Sequence, residues 1–117
     1  MKQISILYVE DDPITRTMMS RQLKNEFEQV YEAGDGAEGL EEFNKHQPDL
    51  IITDLSMPKM SGQEMLSIIF SKRPDQKTII LTGQFDGIVS GLNCVCLHKP
   101  IGMTEILEQI ELIVGND

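Results

Sequence analysis

Five short apolar runs alternate with helix-like stretches along this chain, and this alternation limits the possible folds more than any other feature. The runs are ISILYV (4–9), QVYEA (29–33), LIIT (50–53), TIILT (78–82) and CVCL (94–97). The first, third and fourth are apolar almost throughout, which is typical of parallel strands covered on both faces. Periodicity alone does not separate such runs from buried helix, but their length favours strands.

The stretches between the runs carry helix-start signals and apolar residues at helical spacing. The predicted starts are Asp12 before Pro13, Asp35 with Gly36, Ser61 with Glu64 as a capping box, and Thr104. The predicted inward faces are Met19, Leu23 and Phe27, then Ala37, Leu40 and Phe43, then Met65, Leu66 and Ile69, and finally Leu107, Ile110 and Ile113 or Val114, with Gly115 as the stop. Strands and helices in alternation imply right-handed crossovers. We therefore expect an α/β fold, a flavodoxin-like doubly wound sheet of five parallel strands in the order 2-1-3-4-5.

Composition is consistent with a single cytoplasmic domain that spans residues 1–117. The chain has 10 Lys and Arg against 19 Asp and Glu, a formal charge of −9, which disfavours direct binding to nucleic acid without a basic patch. No apolar run approaches the length of a membrane span, and acidic residues follow the first run too closely for a signal peptide. Cys94 and Cys96 point to the same face of one predicted strand, so we interpret them as small buried side chains in a reducing compartment.

Polar side chains follow the predicted strands at the edge where sheets of this kind bind ligands. They are Glu10, Asp11 and Asp12 after the first strand, Asp54 after the third, Thr82 at the end of the fourth and Lys99 after the fifth. Carboxylates packed together repel one another unless a cation lies among them. Oxygen ligands that leave room for water and a phosphate suit Mg²⁺. We therefore expect Glu10, Asp11 and Asp54 to form a Mg²⁺ site beside Lys99.

The same residues restrict the chemistry to attack by Asp54 on phosphorus. A P-loop would need GxxxxGK[ST], and a flavin-phosphate site would place Ser, Thr and Gly where EDDP (10–13) stands. A phosphatase of the haloacid dehalogenase type would need a second Asp where Ser56 stands. Because no general acid or base is evident beside Asp54, we expect an aspartyl phosphate with little turnover rather than an enzyme.

Four motifs, in order and at consistent spacing, resemble the receiver domain of two-component response regulators, the family of the chemotaxis receiver. They are ILYVEDDPITR (6–16), PDLIITDLSMPKMSG (48–62), IILTG (79–83) and LHKP (97–100). The resemblance implies phosphorelay signalling, in which Asp54 accepts a phosphoryl group from the phosphohistidine of a histidine kinase or phosphotransfer protein, or from a small acyl phosphate. The downstream target, and whether the chain is a stand-alone receiver or the regulatory part of a longer protein, stay open.

The resemblance also implies how the metal is held. Spacing to Arg16 selects Glu10 and Asp11 as the family's acidic pair. Asp11 and Asp54 would then bind Mg²⁺ directly, the backbone carbonyl of Ser56 would add a third ligand, and Glu10 would act through water.

Other residues are implied to report the phosphorylation. Thr82 resembles the hydroxyl that moves toward the phosphoryl oxygens, and Lys99 the lysine that pairs with them. The Lys99–Pro100 peptide would be cis, and Gly62 would stand where a side chain does not fit.

Two features depart from the family pattern. Cys96 stands where receivers usually have an aromatic residue that turns inward when the threonine moves, so the usual relay is not expected. Residues 83–93 leave 11 residues between the fourth and fifth strands. Gly87 and Gly91 each disfavour helix by about 1 kcal/mol relative to Ala, so we expect the fourth helix to be shortened or unwound.

Two other functions remain as alternatives. The first is an interaction module of receiver fold that acts independently of phosphorylation. The second is a phosphatase, which would need steady release of phosphate.

Overall fold

The computed structural model describes residues 2–55, 57, 59–83 and 93–115, which form a five-stranded sheet with helices on both faces. The elements are β1 (Lys2–Val9), α1 (Pro13–Lys24), β2 (Phe27–Ala33), α2 (Gly36–His46), β3 (Leu50–Asp54), α3 (Gly62–Lys72), β4 (Lys77–Thr82), β5 (Cys94–His98) and α4 (Met103–Val114). All strand pairs are parallel, in the order β2-β1-β3-β4-β5. The flavodoxin-like order is confirmed. The shortened fourth helix was predicted within residues 83–93, of which 84–92 lie outside the described residues.

Two apolar clusters, one on each face of the sheet, hold the helices in place. On one face, Leu23 of α1 and Ile110 of α4 pack against Tyr8 and other strand residues. On the other face, Phe43 of α2 and Met65 of α3 pack against the alternate strand residues. β1, β3 and β4 are therefore covered on both sides, which explains why their sequences are apolar almost throughout. None of the helices in the described ranges is long and apolar enough to span a membrane.

The first three helices begin at the predicted caps. In each, a side-chain oxygen accepts a hydrogen bond from a backbone N–H three residues later, which satisfies a group that the helix itself leaves unpaired. The pairs are Asp12 with Thr15 at 3.0 Å, Asp35 with Glu38 at 2.9 Å and Ser61 with Glu64 at 3.1 Å. The predicted capping box and the stop at Gly115 are also confirmed.

Two predictions at helix ends were wrong. Phe27 does not extend the first helix, because α1 ends at Lys24 and Phe27 opens β2, from which it reaches the same core. The last helix begins at Met103 after a Gly102 cap, one residue earlier than Thr104. Ile106, which lay outside the predicted stripe, is fully buried and packs in the same cluster as Ile110.

Candidate functional site

The carboxyl ends of three strands bring one ammonium and two carboxylates together. Lys99 follows β5, and its Nζ atom lies 2.5 Å from Oδ2 of Asp54 at the end of β3. The same Nζ atom lies 3.8 Å from Oε1 of Glu10, which follows β1. The side chains of Asp54 and Glu10 are only 13% and 6% exposed. Three predicted site residues thus meet at this edge, where the two carboxylates are largely buried and the Lys99 side chain is 37% exposed.

Thr82 lies at the same edge and is tied to Lys99 through the backbone. The backbone N–H of Lys99 donates to the carbonyl oxygen of Thr82 at 2.8 Å, and Thr82 is paired with His98 across β4 and β5. Thr82 is buried. The Lys99–Pro100 peptide is cis, as predicted. The end of β4 and the turn after β5 therefore form one bonded unit beside Asp54.

The three acidic residues after β1 have different roles. Asp12 caps α1, since its carboxylate accepts from both the backbone N–H and the hydroxyl of Thr15. Glu10 turns inward, and its Oε2 accepts from the backbone N–H of Asp12 at 3.2 Å. Asp11 is exposed and has no such cap to make. Asp12 is therefore engaged as a helix cap, and the assignment of Glu10 and Asp11 as the acidic pair stays a prediction.

The electrostatics of the site show crowded negative charge. The pKa of the Glu10 carboxyl is raised, chiefly by burial, and contact with Asp11 and the charge of Asp54 act in the same direction. The backbone N–H of Asp12 and the Lys99 ammonium oppose that rise. Burial by itself lowers the pKa of Lys99. Its hydrogen bond to Asp54 and the surrounding carboxylates outweigh burial, so the net shift is upward.

Close backbone packing shapes the loop after Asp54. Oδ1 of Asp54 accepts from the N–H of Leu55 at 2.7 Å, and the N–H of Gly62 donates to the Leu55 carbonyl at 2.8 Å. A Cβ atom on Gly62 would overlap the Asp54 carbonyl oxygen and lie 2.9 Å from Cα of Leu55. The expectation that a side chain does not fit there is confirmed. Ser56, the predicted carbonyl ligand, lies outside the described residues.

No role was predicted for two contacts that support the site from behind. The N–H of Gly36 donates to the Met60 carbonyl at 2.9 Å, which ties the loop after β3 to the start of α2. Nη1 of Arg16 donates to the Glu10 carbonyl at 2.7 Å. A glycine at the first position of a helix was the sequence signal for the first contact. The second joins residues six positions apart, both within ILYVEDDPITR (6–16), so the spacing of Arg16 from the acidic residues was a sequence signal for it.

The donor set fits a magnesium ion. Across the described residues, no three His, Cys, Asp or Glu side chains are arranged to hold a metal by themselves. Mg²⁺ does not need such a cage, because it commonly uses one or two carboxylates and keeps several waters. Glu10 and Lys99 also line a cavity of about 450 Å³, whose other walls, which include Met19, Leu81 and Ile101, are mostly apolar. The crowded carboxylates would gain a counter-charge from a divalent cation.

Comparison with known proteins identifies the family. The family model described as "Response regulator receiver domain" matches residues 6–111. The chain belongs to the response regulator receiver domain family. The receiver domain is 33% identical over 114 residues to the chemotaxis protein CheY of Listeria monocytogenes. The aligned region covers 92% of this chain and 96% of that protein.

Solved structures agree with this assignment. The receiver domain is similar to the N-terminal domain of an uncharacterized protein from Wolinella succinogenes, with a TM-score of 0.85, 35% identity and coverage of 95% of this chain and 94% of the other. It is also similar to the response regulator TrrA of Thermotoga maritima, solved in complex with Mg²⁺–BeF, with a TM-score of 0.82, 28% identity and coverage of 95% and 99%. The resemblance found in the sequence motifs is confirmed.

Proposed function

We propose that this receiver domain accepts a phosphoryl group on Asp54, in a Mg²⁺-dependent transfer from the phosphohistidine of a histidine kinase or phosphotransfer protein, or from a small acyl phosphate. The observation that carries the proposal is the 2.5 Å contact between Asp54 and Lys99, with the Glu10 carboxylate 3.8 Å from the same ammonium. A structural ion pair needs one carboxylate, whereas this partly exposed ammonium faces two carboxylates that are themselves largely buried. That excess of negative charge suits a site that also receives a divalent cation.

The transfer needs a nucleophile and charge balance. An oxygen of the Asp54 carboxylate attacks phosphorus, an O–P bond forms, and the P–N bond of phosphohistidine breaks with its electron pair leaving on the imidazole. With an acyl phosphate, a P–O bond breaks and a carboxylate leaves. Lys99 stabilises the phosphoryl oxygens as their charge shifts. When bound, Mg²⁺ neutralises the same oxygens.

The residues that would hold the metal are those that the family resemblance implies. Asp11 and Asp54 would bind Mg²⁺ directly, the backbone carbonyl of Ser56 would add a third ligand, and Glu10 would act through water. The structure of TrrA with Mg²⁺–BeF supports the metal by analogy, since that relative is 28% identical. Asp54 and Glu10 already share one edge of the sheet, and Asp11 contacts Glu10.

The product is a signal rather than a released compound. Phosphorylation replaces the single negative charge of the Asp54 carboxylate with about two negative charges on the phosphoryl oxygens, beside Thr82 and Lys99. The phosphoryl group can shift the balance between two conformations of the domain only if its contacts differ between those conformations. Thr82 and Lys99 are the residues we assign to that role, and a downstream partner or output domain would respond to the shift. Because Ser56 is not an acid, the aspartyl phosphate should decay slowly without a partner.

The test is chemical modification of the whole chain. Incubation with acetyl phosphate and Mg²⁺ should raise the intact mass by one phosphoryl group, and Asp54→Ala should abolish the gain. The chain has no Trp, so mass spectrometry and NMR are better suited than tryptophan fluorescence. No mass gain at saturating donor would contradict the proposal. Failure of beryllofluoride to perturb the NMR spectrum as well would favour the phosphorylation-independent interaction module, and steady release of phosphate would favour a phosphatase.

A further inference from the structure

The side chain of Arg16 connects helix α1 to the backbone of the acidic loop. Nη1 of Arg16 donates to the carbonyl oxygen of Glu10 at 2.7 Å. Its Nε lies 3.9 Å from Oε1 of Glu32 on β2, and the Arg16 side chain is 25% exposed. A planar guanidinium can make both contacts at once, which an ammonium cannot do in the same geometry.

The Glu10 carbonyl is part of the peptide that joins the acidic pair. Its orientation sets the plane from which the Cα of Asp11 continues, and hence the direction of the Asp11 side chain. The other side of Glu10 is also held, because its N–H donates to the Ala33 carbonyl at 3.0 Å. Asp11 itself is exposed. The bond from Arg16 therefore constrains the backbone from which the Asp11 side chain extends, while the carboxylate itself contacts Glu10.

The surroundings of Arg16 fit a fixed position. A Cβ atom on Gly34 would lie 3.1 Å from Nη1 of Arg16, so the guanidinium packs closely over this glycine. Glu32 also pairs with Lys24 at 3.0 Å. Burial favours the neutral form of Glu32, but the hydrogen bond from Lys24 and the charge of Arg16 outweigh it and lower its pKa. Glu32 thus stays ionised and continues to hold Arg16.

We propose that Arg16 is a positioning residue for the Mg²⁺ site, acting through the Glu10 carbonyl to orient the Asp11 carboxylate. The inference rests on the proposed function, since it assumes that Asp11 binds the metal. Arg16 is positively charged and lies close to the proposed Mg²⁺ site, so its charge by itself opposes Mg²⁺ binding. Its orienting effect favours binding. The two effects have opposite signs, and a substitution can separate them.

The experiment is an Mg²⁺ titration of the full chain, followed by amide NMR, for the wild type, Arg16→Gln, Arg16→Lys and Arg21→Gln. Arg21 is an exposed arginine on the same helix, and in the part of the chain that the structure describes it makes no recorded contact with the acidic loop. Arg16→Gln should weaken Mg²⁺ binding roughly tenfold, as is usual when a residue that orients a ligand is lost. Arg16→Lys, which keeps the charge, should lie between Arg16→Gln and the wild type. Arg21→Gln should bind as tightly as the wild type or slightly more tightly.

A second measurement detects the bond itself. The carbonyl ¹³C resonance of Glu10 and the amide ¹⁵N resonance of Asp11, recorded without Mg²⁺, should move in Arg16→Gln and stay in place in Arg21→Gln. Equal or tighter Mg²⁺ binding by Arg16→Gln would overturn the inference and leave the proposed function intact. Absence of Mg²⁺ binding by the wild type would instead contradict the proposed metal site. If Arg16→Gln does not fold, unchanged Mg²⁺ affinity and an unmoved Glu10 carbonyl in Arg16→Lys would overturn the inference.

Discussion

Lys99 and Asp54 are 45 residues apart in the chain, yet Nζ of Lys99 lies 2.5 Å from Oδ2 of Asp54. Asp54 ends β3 and Lys99 follows β5, and these two strands are not neighbours because β4 lies between them. The lysine reaches across β4, aided by the bond from its own N–H to the Thr82 carbonyl. Phosphorylation of Asp54 would therefore change a contact that links the end of the central strand, β3, to the turn after the edge strand, β5.

Replacing Lys99 with Gln should separate catalysis from metal binding. Phosphorylation by acetyl phosphate should slow by about 10²-fold, the usual loss when one charged stabiliser of a transition state is removed. Mg²⁺ binding should become equal or tighter, because a competing cation near Glu10 and Asp54 is gone. Rates of mass gain and Mg²⁺ titrations measure the two effects. Lys45→Gln, on the exposed side of α2, is the control, and an unchanged rate in Lys99→Gln would contradict the role assigned to Lys99.

The neighbours Asp11 and Asp12 should give opposite phenotypes when each is replaced by Ala. Asp11→Ala should lose Mg²⁺ binding and keep its stability, because its side chain is exposed and makes no helix cap. Asp12→Ala should keep Mg²⁺ binding and lose stability, because the Thr15 N–H would no longer have the Asp12 carboxylate to which it donates. Mg²⁺ titration and urea unfolding distinguish the two. Loss of metal binding in Asp12→Ala alone would show that the acidic pair was assigned one residue too early.

Gly62 and Gly83 should differ in their tolerance of Ala. A Cβ atom on Gly62 meets the Asp54 carbonyl and Leu55, whereas a Cβ atom on Gly83 has no described atom within 4 Å. Gly62→Ala should lower the free energy of unfolding by about 1–3 kcal/mol, the range for overpacking, and should displace the loop after Asp54. Gly83→Ala should have little effect. Equal stability of the two variants in urea unfolding would be inconsistent with the packing described.

The stability of the fold should fall at alkaline pH partly through Cys94. Burial raises the pKa of this thiol to about 11, with Cys96 acting in the same direction. The unfolded chain loses the proton near the ordinary value of 9.0, while the folded chain retains it. The unfolded state then binds fewer protons, so the free energy of unfolding declines as pH rises from about 9 to about 11.

Urea unfolding of the wild type and of Cys94→Ala across that range measures the contribution. The variant should show a shallower decline. Only the slope matters, because removal of the sulfur also changes packing at every pH. Identical slopes would mean that the Cys94 thiol titrates alike in the folded and unfolded chains.

Much of the site was predictable because its parts carry local signals. Asp54 ends a buried strand, Thr82 ends the next, and Lys99 precedes a proline, so each could be placed at the carboxyl edge from its neighbours in sequence. Three helix caps were predictable for the same reason, since a cap involves residues three positions apart. Phe27 shows where local periodicity fails. Its four-residue spacing from Leu23 continued past the end of the helix, although Phe27 reaches the core from a strand.

The sequence by itself determined the alternation of strands and helices, the caps and the identity of the acidic, hydroxyl and ammonium groups, because these depend on patterns a few residues long. The tertiary structure decided which groups touch. Lys99 meets Asp54, 45 residues away, because both lie at the carboxyl edge of the sheet, and Gly36 meets Met60 because α2 and the loop after β3 lie side by side. Such contacts depend on how whole helices, strands and loops pack, and no short stretch of sequence determines the distance between the two groups that meet. Local sequence therefore supplies the chemical groups of this receiver domain, and packing brings them within bonding distance.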